Sequence, residues 1–155
     1  RLLIAYKKVS EHLNCDLLLV GKKDGFITGE DNIIALREGI EDRVHFTGYV
    51  DEVISRQYVL QSQGLVFPSL YEGFGLPPLE AMAAGKPVLN ADIPVLHEVC
   101  GDAALYCDPY SIDDIAEKLL RFEKFEIDKG ILIKKAREYS WESSVEKMLQ
   151  IIESV

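Results

Sequence analysis

Gly64-Leu-Val-Phe-Pro-Ser-Leu-Tyr-Glu-Gly-Phe-Gly-Leu-Pro-Pro-Leu-Glu-Ala-Met-Ala-Ala-Gly-Lys-Pro-Val-Leu-Asn-Ala91 reads as strand, loop, helix, strand. The apolar run Gly64–Pro68 is a buried strand that breaks at Pro68, which has no N–H to give to a ladder. Leu70–Glu80 then forms a tight loop entering a helix. Pro77 or Pro78 suits the first helical position, and Gly85 stands where a left-handed residue closes a helix. About two turns lie between them. Pro87–Ala91 supplies the next apolar run, so the unit predicts two parallel strands joined by a crossover helix.

The same alternation extends in both directions. Further strands are expected at Asp16–Val20, Val44–Thr47 and Ala104–Cys107. Leu2, Tyr6, Val9 and Leu13 give the opening segment one apolar stripe, so the chain begins inside a helix. Ser111 is an N-cap with Asp113 and Asp114 in the first turn, and Ile112, Ile115, Ala116, Leu119 and Leu120 form the stripe behind it. Trp141, Val145, Met148, Leu149, Ile152 and Val155 mark a last amphipathic helix behind Ser140. These stripes are expected to pack on the sheet. Thr28–Glu38 could form a helix ended by Gly39, and Asp51 could cap another through Gln61 with Val53, Ile54 and Tyr58 inward. The fold class is α/β, in one domain over residues 1–155 without repeat or linker.

The chain has 155 residues, 48% hydrophobic and 28% charged, with 17 Lys and Arg against 26 Asp and Glu and a formal net charge of −9. That apolar fraction suits one globular core and excludes a disordered chain. No apolar run approaches the ~20 residues that span a bilayer, and Arg1–Val9 lacks the order of a signal peptide, so the expected location is cytoplasmic. The acidic balance argues against nucleic acid or an anionic membrane as partner. Cys15, Cys100 and Cys107 are an odd, unclustered set, read as reduced thiols serving as small buried apolar residues.

All six prolines and four of the eleven glycines fall between Pro68 and Pro109. Ligands of open α/β sheets bind outside the carboxyl ends of strands, which places the expected site in this stretch. The helix behind Gly75 offers unpaired N–H groups and the positive end of a dipole, while Gly73 and Gly75 let backbone approach a ligand. Glu72 in the loop and Glu80 in the first helical turn can both face that volume. A carboxylate beside a phosphate is repulsive unless it serves hydroxyl groups flanking the phosphate, and an ionised Glu accepts from both donors of a vicinal diol. The ligand inferred is a phosphate centre with a hydroxyl-rich group on each side, the shape of a nucleoside-diphosphate sugar. Glu near a helix start also suits a capping or dipole-favoured role, and spacing alone leaves both readings open.

Phe67–Val88, with Glu98-Val-Cys-Gly-Asp-Ala-Ala-Leu105 and Asp108-Pro109, resembles the signature of the retaining glycosyltransferases of family 4, in which Glu-x7-Glu, here Glu72 and Glu80, is the donor-sugar motif. Val20-Gly-Lys-Lys23, Asp42–Val50 and Tyr139-Ser-Trp141 are similar to further segments of that family. The resemblance implies a two-lobed GT-B enzyme, each lobe a Rossmann-like parallel sheet with helices on both faces, of which this chain is the C-terminal, donor-binding lobe. Carried over, Glu72 is the catalytic residue that meets hexose hydroxyls, and Glu80 holds the ribose diol. The backbone N–H groups of Phe74, Gly75 and Leu76, beside Gly73, bind the diphosphate, and Gly21 with Tyr49 and Val50 borders the base. Lys22 is either a phosphate contact or an exposed, solvated lysine. His97 is assigned a structural or surface role, and Lys86 is poorly placed for phosphate.

The family's lobe opens with a first strand and a loop carrying an Arg and a Lys, and the chain starts after both. The resemblance therefore implies a piece truncated at its N-terminus, with a gap in the sheet. It implies a UDP- or GDP-sugar as substrate, no cofactor and no metal, in agreement with the absence of Asp-x-Asp from the sequence. The acceptor, a saccharide or lipid-linked saccharide, would be held by the absent lobe, as would any peripheral membrane contact. Alternatives are a non-catalytic nucleotide-sugar-binding or assembly module, a sugar-nucleotide epimerase, or a glycogen-synthase-like enzyme.

Overall fold

The structure is a computed structural model and describes residues 1–21 and 35–154. Seven helices and five strands occur among them: α1 (Leu2–Val9), β1 (Leu17–Val20), β2 (Val44–Gly48), α2 (Glu52–Gln61), β3 (Leu65–Phe67), α3 (Leu76–Ala83), β4 (Val88–Ala91), α4 (Pro94–Cys100), β5 (Leu105–Cys107), α5 (Ile112–Phe122), α6 (Lys129–Arg137) and α7 (Trp141–Glu153). All five expected strands form.

Every strand pairing is parallel. β1 lies against β2 with Leu17 opposite Val44, and β4 lies between β3 and β5 with Leu65 opposite Val88 and Leu89 opposite Leu105. Each residue of β4 is buried, as a strand covered on both faces must be. Its side chains alternate between two cores. Leu89 joins Leu3, Tyr6 and Val9 of α1 and Ile115 and Leu119 of α5. Val88 joins Leu79 and Met82 of α3, Val99 of α4 and Leu132 of α6. Helices therefore cover both faces, as expected.

The sheet is divided. Among the described residues β1 and β3 share no ladder, and a cavity of about 680 Å³ lies between them, lined by Leu17–Val20, Gly64–Val66, Tyr58, Val59 and Phe122. This is the gap expected in the sheet. Arg43 ties the base of the first half together. Its guanidinium donates to Asp16 Oδ1 at 2.7 Å and to the carbonyls of Ser10, Leu13 and Cys15, joining the end of α1 to the starts of β1 and β2.

Several expectations about helices need correction. Asp51 does cap α2, accepting from the Ile54 N–H at 2.9 Å. However, Val53 and Ile54 are exposed; of the three residues expected inward only Tyr58 faces the cavity, beside Val59. Ser140 caps α7, yet the apolar stripe of that helix is exposed rather than packed on the sheet: Trp141 is 86% exposed and Ile152 64%. Of the expected helix Thr28–Glu38, residues 28–34 lie outside the described residues, and Ala35–Arg37 is a single 3₁₀ turn before Gly39. α1 stops at Val9, and a 3₁₀ turn at Ser10–His12 carries Leu13 to its buried place.

Candidate functional site

The loop between β3 and α3 is shaped by its own sequence. Ser69 Oγ donates to the Tyr71 carbonyl at 3.0 Å, folding the chain back as it leaves the strand. Gly75 is the N-cap of α3 at φ +92°, a left-handed conformation open to glycine. Leu76 is the first helical residue, so Pro77 and Pro78 occupy the second and third positions rather than the first. That placement has a chemical consequence. A helix start normally leaves four N–H groups unpaired, and two prolines remove two of them. The donors that remain belong to Gly75 and Leu76, with Phe74 just before them. Among the described residues none of these three N–H groups donates to a protein acceptor.

Glu72 is half-buried in the loop, and Glu80 is exposed on α3, in its second turn and not its first. Neither carboxylate has a hydrogen bond or ion pair among the described residues, so the capping role left open by the spacing is not the one these side chains fill. The arrangement is a short arc of unpaired amides at the positive end of a helix, flanked by two unpaired carboxylates. Amides of this kind donate to a phosphate oxygen, and the carboxylates accept from hydroxyl groups. Lys86, at the far end of α3, donates to the Ser62 carbonyl at 2.7 Å and takes no part.

Gly21, Tyr49 and Val50 come together on the other half of the sheet. The Gly21 N–H donates to the Gly48 carbonyl at 3.2 Å where β1 and β2 end, and Tyr49 beside it is exposed. These residues lie at the carboxyl ends of β1 and β2, as the loop of Glu72–Leu76 lies beyond the carboxyl end of β3; the two sets of strands share no ladder among the described residues. Lys22 lies outside the described residues.

Residues 1–152 match the family described as glycosyl transferases group 1. The chain belongs to that family. It is 38% identical over 110 residues to O-antigen chain mannosyltransferase B of Escherichia coli, covering 66% of this chain and 28% of that protein. Among solved structures, the fold matches sucrose-phosphate synthase from Thermosynechococcus elongatus with a TM-score of 0.76 at 24% identity, covering 98% of this chain and 41% of that one. It also matches a mutant of S. aureus TarM in complex with fondaparinux, alpha-GlcNAc-glycerol and UDP, with a TM-score of 0.72 at 26% identity over 96% of this chain and 30% of that one. The chain spans less than half the length of each. Its architecture is that of a GT-B glycosyltransferase domain.

Three features of this glycosyltransferase domain were not read from its sequence. The Leu96 side chain of α4 packs against Gly75, and the Phe74 ring meets the Tyr139 ring edge to face at 5.5 Å. Beyond the end of β4, His97 Nε2 lies 2.7 Å from Asp92 Oδ1, and its ring stacks on Tyr106 at 3.8 Å. His97 thus sits in a helix, held between a carboxylate and an aromatic ring, in keeping with a structural role. Pro94 at a helix start was the available signal for α4.

Proposed function

We propose that this domain binds a nucleoside-diphosphate sugar and that the whole enzyme, a retaining glycosyltransferase of family 4, transfers the hexosyl group to a saccharide or lipid-linked acceptor. The observation that carries this reading is the set of unpaired N–H groups of Phe74, Gly75 and Leu76 between the unpaired carboxylates of Glu72 and Glu80. The diphosphate sits on the three amides at the helix start. Glu72 accepts from hexose hydroxyls, Glu80 from the ribose diol, and Gly21, Tyr49 and Val50 border the base.

The reaction breaks the bond between the anomeric carbon and the diphosphate oxygen, leaving the electron pair on that oxygen. Fixed amides aimed at the growing charge lower the barrier because they need no reorganisation as it forms. Glu72, beside the hexose, stabilises the positive charge that develops on the ring. The reading needs no metal, and the lack of an Asp-x-Asp motif supports this. Similarity to an O-antigen chain mannosyltransferase favours mannose as the transferred sugar and a bacterial surface polysaccharide as the product. The UDP in the TarM complex supports a nucleotide as part of the ligand.

Calorimetry with GDP, UDP, GDP-mannose and UDP-glucose tests the binding half, with Glu80→Gln expected to weaken every nucleotide. Transfer assays on the whole enzyme test the rest. Glu72→Gln is expected to lower kcat by about 10²-fold or more, on the order of an electrostatic transition-state contact. A Glu72→Gln enzyme with the full transfer rate would overturn the role of Glu72. Nucleotide-sugar binding by a whole protein that transfers nothing would favour a binding module.

A further inference from the structure

The amides that would hold the diphosphate belong to a segment with little stiffness of its own. Phe74 stands between Gly73 and Gly75, and a β-carbon placed on Gly73 would meet nothing within 4 Å. Glycine on both sides leaves the Phe74 ring as the one side chain that can anchor residues 73–75. That ring meets Tyr139 edge to face, with centroids 5.5 Å apart and planes at 80°. Tyr139 is itself fixed. Its hydroxyl donates to the Glu98 carbonyl of α4 at 2.9 Å, and Lys135 Nζ lies 5.7 Å from its ring centre. Leu96, two residues before Glu98, packs directly against Gly75. α4 therefore holds residue 75 through Leu96 and residue 74 through Glu98 and Tyr139.

We infer that Tyr139 is a positioning residue for the phosphate-binding amides: it braces Phe74 and so keeps the N–H groups of residues 74–76 directed at the ligand. The inference rests on the donor-site reading above. Tyr139 touches neither sugar nor nucleotide and acts through Phe74 alone. An edge-to-face aromatic pair is worth about 0.5–1.5 kcal/mol beyond its burial, enough to change the population of the ordered loop by about tenfold at most.

The test uses the 155-residue chain and reads amide hydrogen exchange in the first turn of α3, where the Leu79 N–H donates to the Gly75 carbonyl at 3.5 Å, without nucleotide, then GDP and UDP affinity by calorimetry. Tyr139→Leu is expected to speed exchange in that segment about fivefold to tenfold and to weaken the nucleotide by a similar factor, with exchange in β4 unchanged. Tyr139→Phe keeps the ring against Phe74 and is expected to restore most of both. Phe74→Leu closes a double-mutant cycle, in which the two substitutions together should cost no more than either alone. Unmoved exchange in Tyr139→Leu, or additive effects in the cycle, would overturn the brace. Moved exchange in a wild-type protein that binds neither GDP nor UDP would overturn the donor-site reading alone.

Discussion

Gly75 and Leu96 are in contact across the start of α3, and a β-carbon on residue 75 would stand 2.6 Å from Leu96 Cδ2. The backbone there is at φ +92°, so a side chain meets two obstacles at once. The left-handed conformation costs about 1–2 kcal/mol for a residue with a β-carbon, and overpacking against Leu96 adds about 1–3. Gly75→Ala is expected to lower stability by about 2–5 kcal/mol, seen as a fall in melting temperature, and to abolish nucleotide binding in the fraction that stays folded. Leu96→Ala would relieve the clash but not the strain, and because Leu96 is itself fully buried, the double variant should cost less than the sum of the two single ones.

The strands were legible because each is a short apolar run closed by proline, glycine or a cap, and β4 carries the plainest signal, apolar or buried at every position. Asp51, Ser111 and Ser140 were legible as caps because their side chains act locally, each accepting from an N–H three residues on. What the sequence could not show was which apolar faces find a partner. Val53, Ile54 and Tyr58 have the same helical spacing as Ile115, Ala116 and Leu120, but Val53 and Ile54 face outward while Ile115 and Ala116 are buried between α1 and the sheet. α6 was missed because it buries a single residue, Leu132, and carries basic residues at four of its other eight positions; its signal was Asp128, which accepts from the Gly130 and Ile131 N–H groups. At the site, Glu72, Glu80 and the glycines were legible from type and spacing. The Tyr139 contact was not, since it joins residues far apart in the chain and depends on how α6 lies along α3.

Asp16 links acid stability to the base of the sheet. The hydrogen bond from Arg43, and then that from His45, hold its carboxyl below the usual carboxylate range. A depressed folded-state value contributes stability above the unfolded value of about 3.9 and loses it as pH falls through the folded value. The side chain is half-exposed, so solvent and salt screen the gain. Asp16→Asn is expected to melt lower than wild type at about pH 7, with the difference closing as pH falls below about 4 and narrowing in high salt. Equal melting temperatures at neutral pH would show that Arg43 is held by its three carbonyl acceptors alone.

The cysteines predict the alkaline limb. Cys100 and Cys107 are buried, and burial pushes both thiols up, that of Cys107 to about 12. Cys15, half-buried, is raised by burial and then by Glu123. A raised folded-state value contributes stability that is complete below the unfolded value of about 8.5 and is lost as pH rises toward the folded value. Thermal stability should therefore fall above about pH 8.5, and Cys107→Ala, though less stable throughout, should show a shallower fall. Because the thiolate is the nucleophile, a disulfide reagent at about pH 8 should leave Cys100 and Cys107 unmodified in the folded chain and titrate all three thiols in denaturant.

α7 separates a helix that forms from a helix that packs. Its sequence has the spacing of a core helix, and Ser140 starts it well, yet Val145 is 51% exposed, Met148 61% and Leu149 51%. Truncating a buried leucine costs about 2–5 kcal/mol, whereas an exposed one away from special features costs within about 0.5. Leu149→Ala and Met148→Ala should each leave the denaturation midpoint of the chain within that smaller range. Leu119→Ala, in the α5 stripe of the same period, should fall in the larger one because its side chain is 5% exposed between α1 and the sheet. An uncovered apolar stripe also favours association between copies, so Met148→Glu with Ile152→Glu should lower any concentration-dependent sedimentation without lowering stability. A loss of about 2 kcal/mol or more in Leu149→Ala would mean that α7 has a packing partner within the chain, and the exposed placement of its stripe would be wrong.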